Sequence, residues 1–304
     1  MSIYPASNYP NGFRNGVSIL NVPVEVAPEG KVWWVNSNAA INSDGSRAKP
    51  FATIATAITK AAEYDTIMIA AGHSEALTAT SFVVDKALTI IGQGRGSRKP
   101  TFTTAIEGGL VSITDADVTI SNIRLVCGYS GGATSAISIG AGGDFCTLDN
   151  ITCRDGATNA VEWLTHVMIA TTVTDLTIQN CSFIGLIAGS MTNSILFAGT
   201  TSNVVIANNY IDVDASDSVI DHDADKATNI LIVGNVILNQ DTTTAGYCIE
   251  CEASSTGHVV GNMASYAKSD APVFLGEALF WLENYGGNTA GSSGELDPAG
   301  VAIP

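Results

Sequence analysis

Short stretches of alternating apolar and polar residues recur along the chain, and each is interrupted at an asparagine. In LTIQNCSF, the apolar positions are Leu176 and Ile178 before Asn180, and Cys181 and Phe183 after it. A half-buried strand alternates with a period of two residues, and here the phase shifts by one at the asparagine. Such a shift predicts a corner between two short strands, and asparagine suits a corner because it tolerates the left-handed backbone conformation.

The pattern repeats along the chain and predicts stacked coils. Successive asparagines are separated by 28, 30, 28, 27, 27 and 22 residues, a period typical of a solenoid. A further strand in each coil, such as AISIG or YCIECE, completes the turn. We therefore expect an all-β parallel β-helix of about 7–8 coils, whose corner amides stack ~4.8 Å apart in a hydrogen-bonded ladder. The asparagines assigned to this ladder are Asn122, Asn150, Asn180, Asn208, Asn235, Asn262 and Asn284.

The two ends of this solenoid need covering. The stretch PFATIATAITKAAEYD places Phe51, Ile54, Ile58 and Ala61 at helical intervals, which predicts an amphipathic helix at about 51–62 on the first coil. We assign residues 31–285 to the β-helix domain. Residues 286–304 are rich in glycine and small residues, and we expect a C-terminal tail there.

Composition and charge exclude several kinds of partner. The chain is 46% hydrophobic and carries a net charge of −16. Residues 100–304 contain four basic against twenty-two acidic residues, so the basic footprint of a nucleic-acid-binding protein is missing. The sequence contains no apolar run long enough for a membrane helix. It also shows no signal peptide.

Six cysteines do not require a disulfide framework in a chain of 304 residues. Cys146, Cys153 and Cys181 fall in inward columns of the repeat, where a free thiol behaves as a small apolar group. Cys248 and Cys251 form a C-x-x-C pair, but strand alternation predicts that they face opposite sides and bind no metal.

An acidic cluster is the strongest candidate for chemistry. Ile220 in VIDHDAD aligns with Ile249 in CIECE, one coil later. This alignment places Asp221 beside Glu250, and Asp223 beside Glu252, all facing outward. Such carboxylates can act as acid and base on glycosides or bind Ca²⁺. The alternative is a solvated acidic face, and it is the interpretation that we favour, with no catalytic residue, metal or cofactor.

The same alternation places two histidines inward. His222 lies between Asp221 and Asp223, and His258 falls in a core column of the repeat. We therefore expect both imidazoles to be packed in or near the core.

The first part of the chain resembles a known fold family. The segments KVWWVNSN, PFATIATAITKA and DTIMIAAGHSE, between residues 31 and 75, are similar in order and spacing to the entrance of pectin-lyase-like right-handed β-helix proteins. The resemblance implies a right-handed helix. The lyases of that family use a basic residue beside Ca²⁺-binding aspartates, and Lys226 is the only basic candidate near the acidic cluster.

A narrower resemblance covers the N-terminus. YPNGFRNGVSILNVP, together with GHSE, is similar to a group of tailed-phage structural proteins. This implies a virion protein made in the host cytoplasm, most simply a homotrimer that decorates or stabilises the capsid of the head. The alternative is a tailspike-like protein that binds or degrades a surface glycan with the acidic cluster, as a glycoside hydrolase or polysaccharide lyase.

The composition of residues 1–30 predicts an extended arm. They contain four prolines and three glycines, too many for a helix, yet also more apolar side chains than a solvated tail needs. The arm should lie on its own β-helix, on a neighbouring subunit or on the capsid. The residues that we assign to this contact are Tyr4, Tyr9, Phe13, Ile19 and Leu20.

Overall fold

The chain winds into a right-handed parallel β-solenoid of about seven turns. The computed structural model describes residues 17–19, 22–24, 30–40, 42–158, 160–186, 189, 191–222, 226–244, 246–268, 273–276, 279–288 and 293–295. Each turn passes through three sheets in the same order, named here sheet A, sheet B and sheet C. The all-β fold and its coiled arrangement agree with the prediction from the repeat.

The strands of the three sheets have the following bounds. Sheet A contains Val32–Val35, Thr66–Ile69, Thr89–Gly92, Thr119–Ser121, Thr147–Asp149, Val173–Thr174, Thr177–Gln179, Thr201–Ala207, Ala227–Val233, Gly257–Val260 and Phe280–Leu282. Sheet B contains Ser74–Leu77, Thr101–Thr104, Arg124–Cys127, Thr152–Arg154, Ser182–Ile184, Tyr210–Val213, Val236–Asn239, Met263–Tyr266, Tyr285–Asn288 and Ser293–Glu295. Sheet C contains Phe82–Val84, Val111–Ile113, Ala133–Ile139, Trp163–Ile169, Asn193–Phe197, Ile220–His222, Ile249–Cys251 and Phe274–Leu275.

The core is built from stacked columns of apolar side chains. Within each sheet, equivalent residues of successive coils pair in parallel register, so one inward position recurs coil after coil. Burial of these columns is the main stabilising contribution, at roughly 25 cal/mol per Å² of apolar surface removed from water. The sheet A column is Ile67, Ile90, Ile120, Leu148, Ile178, Ile206, Ile232 and Val259. The sheet C column is Val111, Ile137, Val167, Ile195, Ile220, Ile249 and Phe274.

A short helix covers the first coil, as its apolar spacing predicts. Helix α1 spans Ile54–Lys60, shorter than the expected 51–62, because Thr53 is its N-cap and accepts a hydrogen bond from the backbone N–H of Thr56. Ile54 and Ile58 face the core. The Glu75 carboxylate accepts from the Ile54 N–H at 2.9 Å and lies 3.1 Å from His73 Nε2. A 3-10 helix, Gly96–Arg98, follows in the next coil.

The ends of the chain add two antiparallel pairs. Val17–Ile19 pairs with Val22–Val24 within the N-terminal arm. At the other end, Ser293–Glu295 pairs antiparallel with Tyr285–Asn288. The boundary that we placed after residue 285 therefore falls inside the last parallel strand of sheet B. Of the expected contact residues, Tyr4, Tyr9, Phe13 and Leu20 lie outside the described residues, and Ile19 is described only as part of its strand.

The corner between sheets A and B has the left-handed conformation that the phase shift predicts. Four of the seven asparagines adopt positive φ there, and two glycines and a glutamate continue the row in later coils. The row is Asn122 (φ 56°), Asn150 (51°), Asn180 (54°), Asn208 (55°), Gly234 (65°), Gly261 (64°) and Glu283 (53°). Asn180 lies in register between Asn150 and Asn208, as expected.

The single asparagine ladder expected from the sequence is wrong, because the seven asparagines belong to two rows. The pairing of Ala207 with Val233 sets a register of 26 residues, so Asn208 aligns with Gly234 and Asn235 aligns with Asn209. Asn235, Asn262 and Asn284 therefore follow the left-handed residue instead of occupying it, and their side chains point inward.

The inward row forms the ladder. Asn209, Asn235, Asn262 and Asn284 are all buried. Each Nδ2 of the first three donates to the Oδ1 of the next, at 3.0, 2.9 and 2.9 Å. The same oxygens accept the backbone N–H of the preceding asparagine, at 2.9, 3.0 and 3.1 Å. In the outward row, Asn150 Nδ2 donates to Asn122 Oδ1 at 3.0 Å, as the predicted ladder requires, but Asn180 Nδ2 donates to Asp149 Oδ1 at 2.7 Å, so the row of amide contacts does not continue to Asn180.

Candidate functional site

Sheet C carries the acidic cluster that the sequence singled out. Ile220 pairs with Ile249 and Asp221 with Glu250, as the alignment of VIDHDAD with CIECE predicts. Neighbouring strands are ~4.8 Å apart, so the two carboxyl groups project side by side from the outer face. They are not open to solvent, however: Asp221 is only 7% exposed and Glu250 only 9%.

Two residues that the sequence analysis did not single out hold these carboxylates. Asn193 Nδ2 donates to Asp221 Oδ2 at 2.8 Å and to the Ser218 carbonyl at 2.9 Å. The Ser218 hydroxyl donates to Glu250 Oε2 and accepts from the Tyr247 N–H at 3.1 Å. Charge-assisted hydrogen bonds of this kind are the stronger class. The arrangement ties three consecutive coils together through their outward side chains.

A column in the sequence contains the signal for these partners. Asn193, Ser218 and Tyr247 each stand two residues before an inward isoleucine: Ile195, Ile220 and Ile249, respectively. Strict alternation would turn that column inward. Sheet C escapes this rule through a bulge, since the N–H groups of Ser194 and Ile195 both donate to the Val219 carbonyl. A bulge adds one residue to the strand, so each residue before it points to the face opposite the one that strict alternation predicts.

The bulge also corrects the prediction for the C-x-x-C pair. Cys248 and Cys251 do not face opposite sides; both are buried in the core. All six cysteines are free and buried. Burial raises the pKa of Cys248 and Cys251 to about 12 and that of Cys146 to about 11. These thiols therefore remain protonated and unreactive at neutral pH.

The structure describes one of the two remaining members of the acidic cluster. Asp223 lies outside the described residues. Glu252 accepts hydrogen bonds from the Ser254 N–H and hydroxyl, and these bonds lower the pKa of its carboxyl. Among the residues that the structure describes, no group of three His, Cys, Asp or Glu side chains is arranged to hold a metal ion.

The two histidines predicted to point inward, His222 and His258, both stack on aromatic rings. His222 points inward as predicted, stacks on Phe197 at 4.7 Å and lies 2.9 Å from Thr201 Oγ1. His258 was expected in the core, but it is exposed and stacks on Phe280 at 5.2 Å; the same one-residue slip that misplaced Asn235 misplaced it.

His166 forms a buried polar pair with Ser194, at 3.0 Å from Nδ1 to the hydroxyl. The sequence analysis did not single out this pair. Burial lowers the pKa of His166 to about 3, so its imidazole is neutral at physiological pH. A Ser–His pair with no solvent access cannot contact a substrate.

Comparisons with known proteins agree on the fold. No protein-family model and no curated protein sequence matches the chain. Among solved structures, a rhamnogalacturonan lyase aligns with a TM-score of 0.57 at 12% identity, over 78% of this chain and 69% of the lyase. A pectin methylesterase from Aspergillus niger aligns with a TM-score of 0.56 at 15% identity, over 91% and 92%.

The chain has the pectin-lyase-like β-helix fold. An alginate lyase from Paenibacillus aligns at 13% identity with a TM-score of 0.51, over 83% of this chain and 95% of that enzyme. These enzymes carry out different reactions on one scaffold, and fold alone does not assign a reaction.

No helix among the described residues is both long and apolar enough to span a membrane.

Proposed function

We propose that the chain is a non-catalytic structural component of a phage virion, a protein that decorates or stabilises the capsid of the head. The observation that carries this proposal is the state of Asp221 and Glu250. On the outer face of sheet C, each carboxylate is bound by a neighbouring side chain and is less than a tenth exposed. An acid–base pair must contact its substrate, whereas here the pair cross-links coils.

Two further features support assembly in a virion. The six reduced, buried cysteines suit a protein that folds in a reducing cytoplasm. The resemblance of residues 1–30 and of GHSE to tailed-phage structural proteins supplies the connection to a particle. In this proposal the arm makes the contact with the capsid or with neighbouring protomers, and the β-helix is the rigid body that it attaches.

The last coils present apolar surface that supports association into a homotrimer. Met263 is 60% exposed, Phe280 70%, Leu282 57% and Tyr285 51%. Single exposed apolar side chains are ordinary, but a group of large ones on adjoining strands is typical of a contact surface. Most of the charge in residues 100–304 is acidic, so copies repel one another there, and this mainly apolar region, which also contains the exposed Glu283, is where protomers can approach.

The deletion of residues 2–30 tests the role of the arm. We expect the truncated protein to keep the circular dichroism spectrum and melting temperature of the β-helix, but to lose assembly and binding to particles. Full-length protein carried through the same purification is the control. A truncated protein that binds normally contradicts the proposal, and so does one that fails to fold.

A second candidate function is glycan binding or degradation in the manner of a tailspike. The observation in its favour is the parallel register of Asp221 and Glu250 on a β-helix face, on a scaffold shared with the rhamnogalacturonan lyase and the alginate lyase. Depolymerisation of host surface polysaccharide by the wild-type protein, and its loss in Asp221→Asn or Glu250→Gln, would establish this function in place of the first.

A further inference from the structure

A basic groove lies on the outer face of sheet B, away from the acidic cluster on sheet C. Its volume is about 350 Å³, and Arg124 and Arg154 line it together. These are two of the four basic residues that follow residue 99, in a part of the chain with twenty-two acidic ones. The coil register brings them close, because Val126 pairs with Arg154. Two of the few positive charges on an acidic rod thus share one concave surface.

The arginines are only partly used by the protein itself. Arg124 Nη2 donates to the Gly96 carbonyl at 2.7 Å, while its Nε is buried without a hydrogen-bond partner. The Arg154 guanidinium forms no hydrogen bond or ion pair within the described part of the chain. An arginine presents five donors in a rigid fork, so most of the donors in this groove remain available to a ligand.

The acidic residue in the groove does not neutralise the arginines by pairing with them. Asp155 Oδ1 accepts from the Trp163 N–H and Oδ2 from the Leu186 N–H, both at 2.8 Å. These bonds fix the two loop segments that form the wall. Asp155 is therefore a structural anchor, and the lining of the groove contains two arginines against this one carboxylate.

The rest of the lining is apolar. Val126, Ile184 and Leu186 form a wall beside the two guanidinium groups. A guanidinium fork recognises carboxylate, sulfate and phosphate groups through paired hydrogen bonds. An apolar wall next to such a fork suits the C–H face of a sugar ring, and the volume is at the small end of the ~300–1,000 Å³ of ligand pockets.

We propose that this groove binds an acidic sugar, with its carboxylate, sulfate or phosphate group held by Arg124 and Arg154 and its ring against the apolar wall. The proposal does not depend on the virion role, since it concerns a different face and requires no assembly. It gives the chain a glycan-recognition site that is separate from the carboxylates of sheet C.

Ligand-observed NMR titration of the purified full-length protein tests the site. The probes are glucuronate, glucose 6-sulfate, glucose 6-phosphate, neutral glucose and inorganic phosphate. We expect at least one of the three acidic sugars to bind more tightly than both glucose and inorganic phosphate, and the preferred one identifies the charged group. Binding of glucose as tight as that of the best acidic sugar refutes the role of the arginines, and equally tight binding of inorganic phosphate refutes the role of the wall.

Substitutions locate the binding in the groove. Arg154→Ala should weaken binding of the preferred acidic sugar about tenfold or more, the loss expected for a charge-assisted hydrogen bond. Because the Arg154 guanidinium has no hydrogen-bond or ion-pair partner among the residues that the structure describes, its removal leaves no group there unpaired, and the variant should fold normally. Lys60→Ala removes the same charge from an exposed site at the end of α1 and should leave the affinity unchanged. Equal affinities of Arg154→Ala and wild type, or no binding of any acidic sugar to wild type, overturns the proposal.

Discussion

The buried asparagine ladder makes a quantitative prediction for Asn235→Ala. Asn235 is fully buried, and its Oδ1 accepts from both the backbone N–H and the Nδ2 of Asn209. Its Nδ2 donates to the Ile206 carbonyl at 2.9 Å and to Asn262 Oδ1 at 2.9 Å. Alanine removes all four bonds at once.

Not all of the partners are left unsatisfied. Asn209 Nδ2 keeps the Ile178 carbonyl, and Asn262 Oδ1 keeps the backbone N–H of residue 235. The Asn209 backbone N–H is left buried without its acceptor, which costs about 1–3 kcal/mol. Lost packing around the missing amide adds to this, so we expect a total destabilisation of ~2–4 kcal/mol. For a chain of this size that corresponds to a melting temperature lowered by roughly 3–6 °C.

Asn180 provides the matched control, because it is an asparagine of the same corner but of the outward row. Its side chain is exposed, its φ is 54° and its Nδ2 donates only to Asp149. Asn180→Gly keeps the left-handed conformation accessible and should change stability by less than about 1 kcal/mol. Asn180→Ala should cost about 1–2 kcal/mol from backbone strain alone.

Thermal unfolding followed by circular dichroism at one fixed scan rate compares the three variants. The expected order of melting temperatures is wild type and Asn180→Gly highest, Asn180→Ala lower and Asn235→Ala lowest. An unchanged melting temperature for Asn235→Ala refutes the ladder. An Asn180→Gly variant as unstable as Asn235→Ala would show that the outward row is the one that stabilises the stack.

Three further predictions concern the thiols, a buried carboxyl and the sheet C pair. All six cysteines should be inaccessible to a thiol reagent in the native protein and fully titrated after denaturation; a disulfide in any of them contradicts the core assignment. Burial raises the pKa of the Asp155 carboxyl to about 6 in the folded protein, whereas the ordinary value in an unfolded chain is about 3.9. The folded state therefore holds the proton more tightly. This stabilises the folded state by roughly 1–3 kcal/mol below pH 3.9, and the contribution is lost as the pH rises through 6. The melting temperature of Asp155→Asn relative to wild type should therefore be higher at pH 7 than at pH 4, and a constant difference would show that the carboxyl is not perturbed. Asp221→Asn and Glu250→Gln should lower the melting temperature, and neither variant nor the wild type should degrade host surface polysaccharide; a wild-type activity that disappears in either variant contradicts the structural role.

The columns of the solenoid were predictable from sequence because their physical basis is a local period. Alternation of apolar residues located the sheets, and the phase shift at Asn180 located the corner. The register of Ile220 with Ile249 followed from one coil length. Helix α1 was predictable because apolar residues recur at intervals of three to four residues from Phe51 to Ala61, which is the period of a helix and not of a strand.

The predictions failed where the length of a coil, or the face to which a side chain points, changes by one residue. Asn208 and Asn209 are adjacent, so an alignment on asparagine cannot distinguish the corner position from the buried one, and a 26-residue coil was assigned 27 residues. The bulge of sheet C likewise breaks a period-two pattern without leaving a glycine or proline as a marker. That is why Asn193 and Ser218, the partners of Asp221 and Glu250, were not identified. The coil register places Arg124 and Arg154 close together, but the groove between them also needs the loop segment at Leu186, whose shape periodicity does not specify.

The most direct test of the proposed function is the content of purified particles. The proposed function predicts that the gene for this chain lies in a phage genome, and that quantitative mass spectrometry of density-banded virions of that phage finds the intact protein at a fixed copy number per capsid. That number should be unchanged by a salt wash that removes loosely bound proteins. Absence of the protein from banded particles, or a copy number that falls to zero on washing, would contradict its assignment as a structural component of the virion.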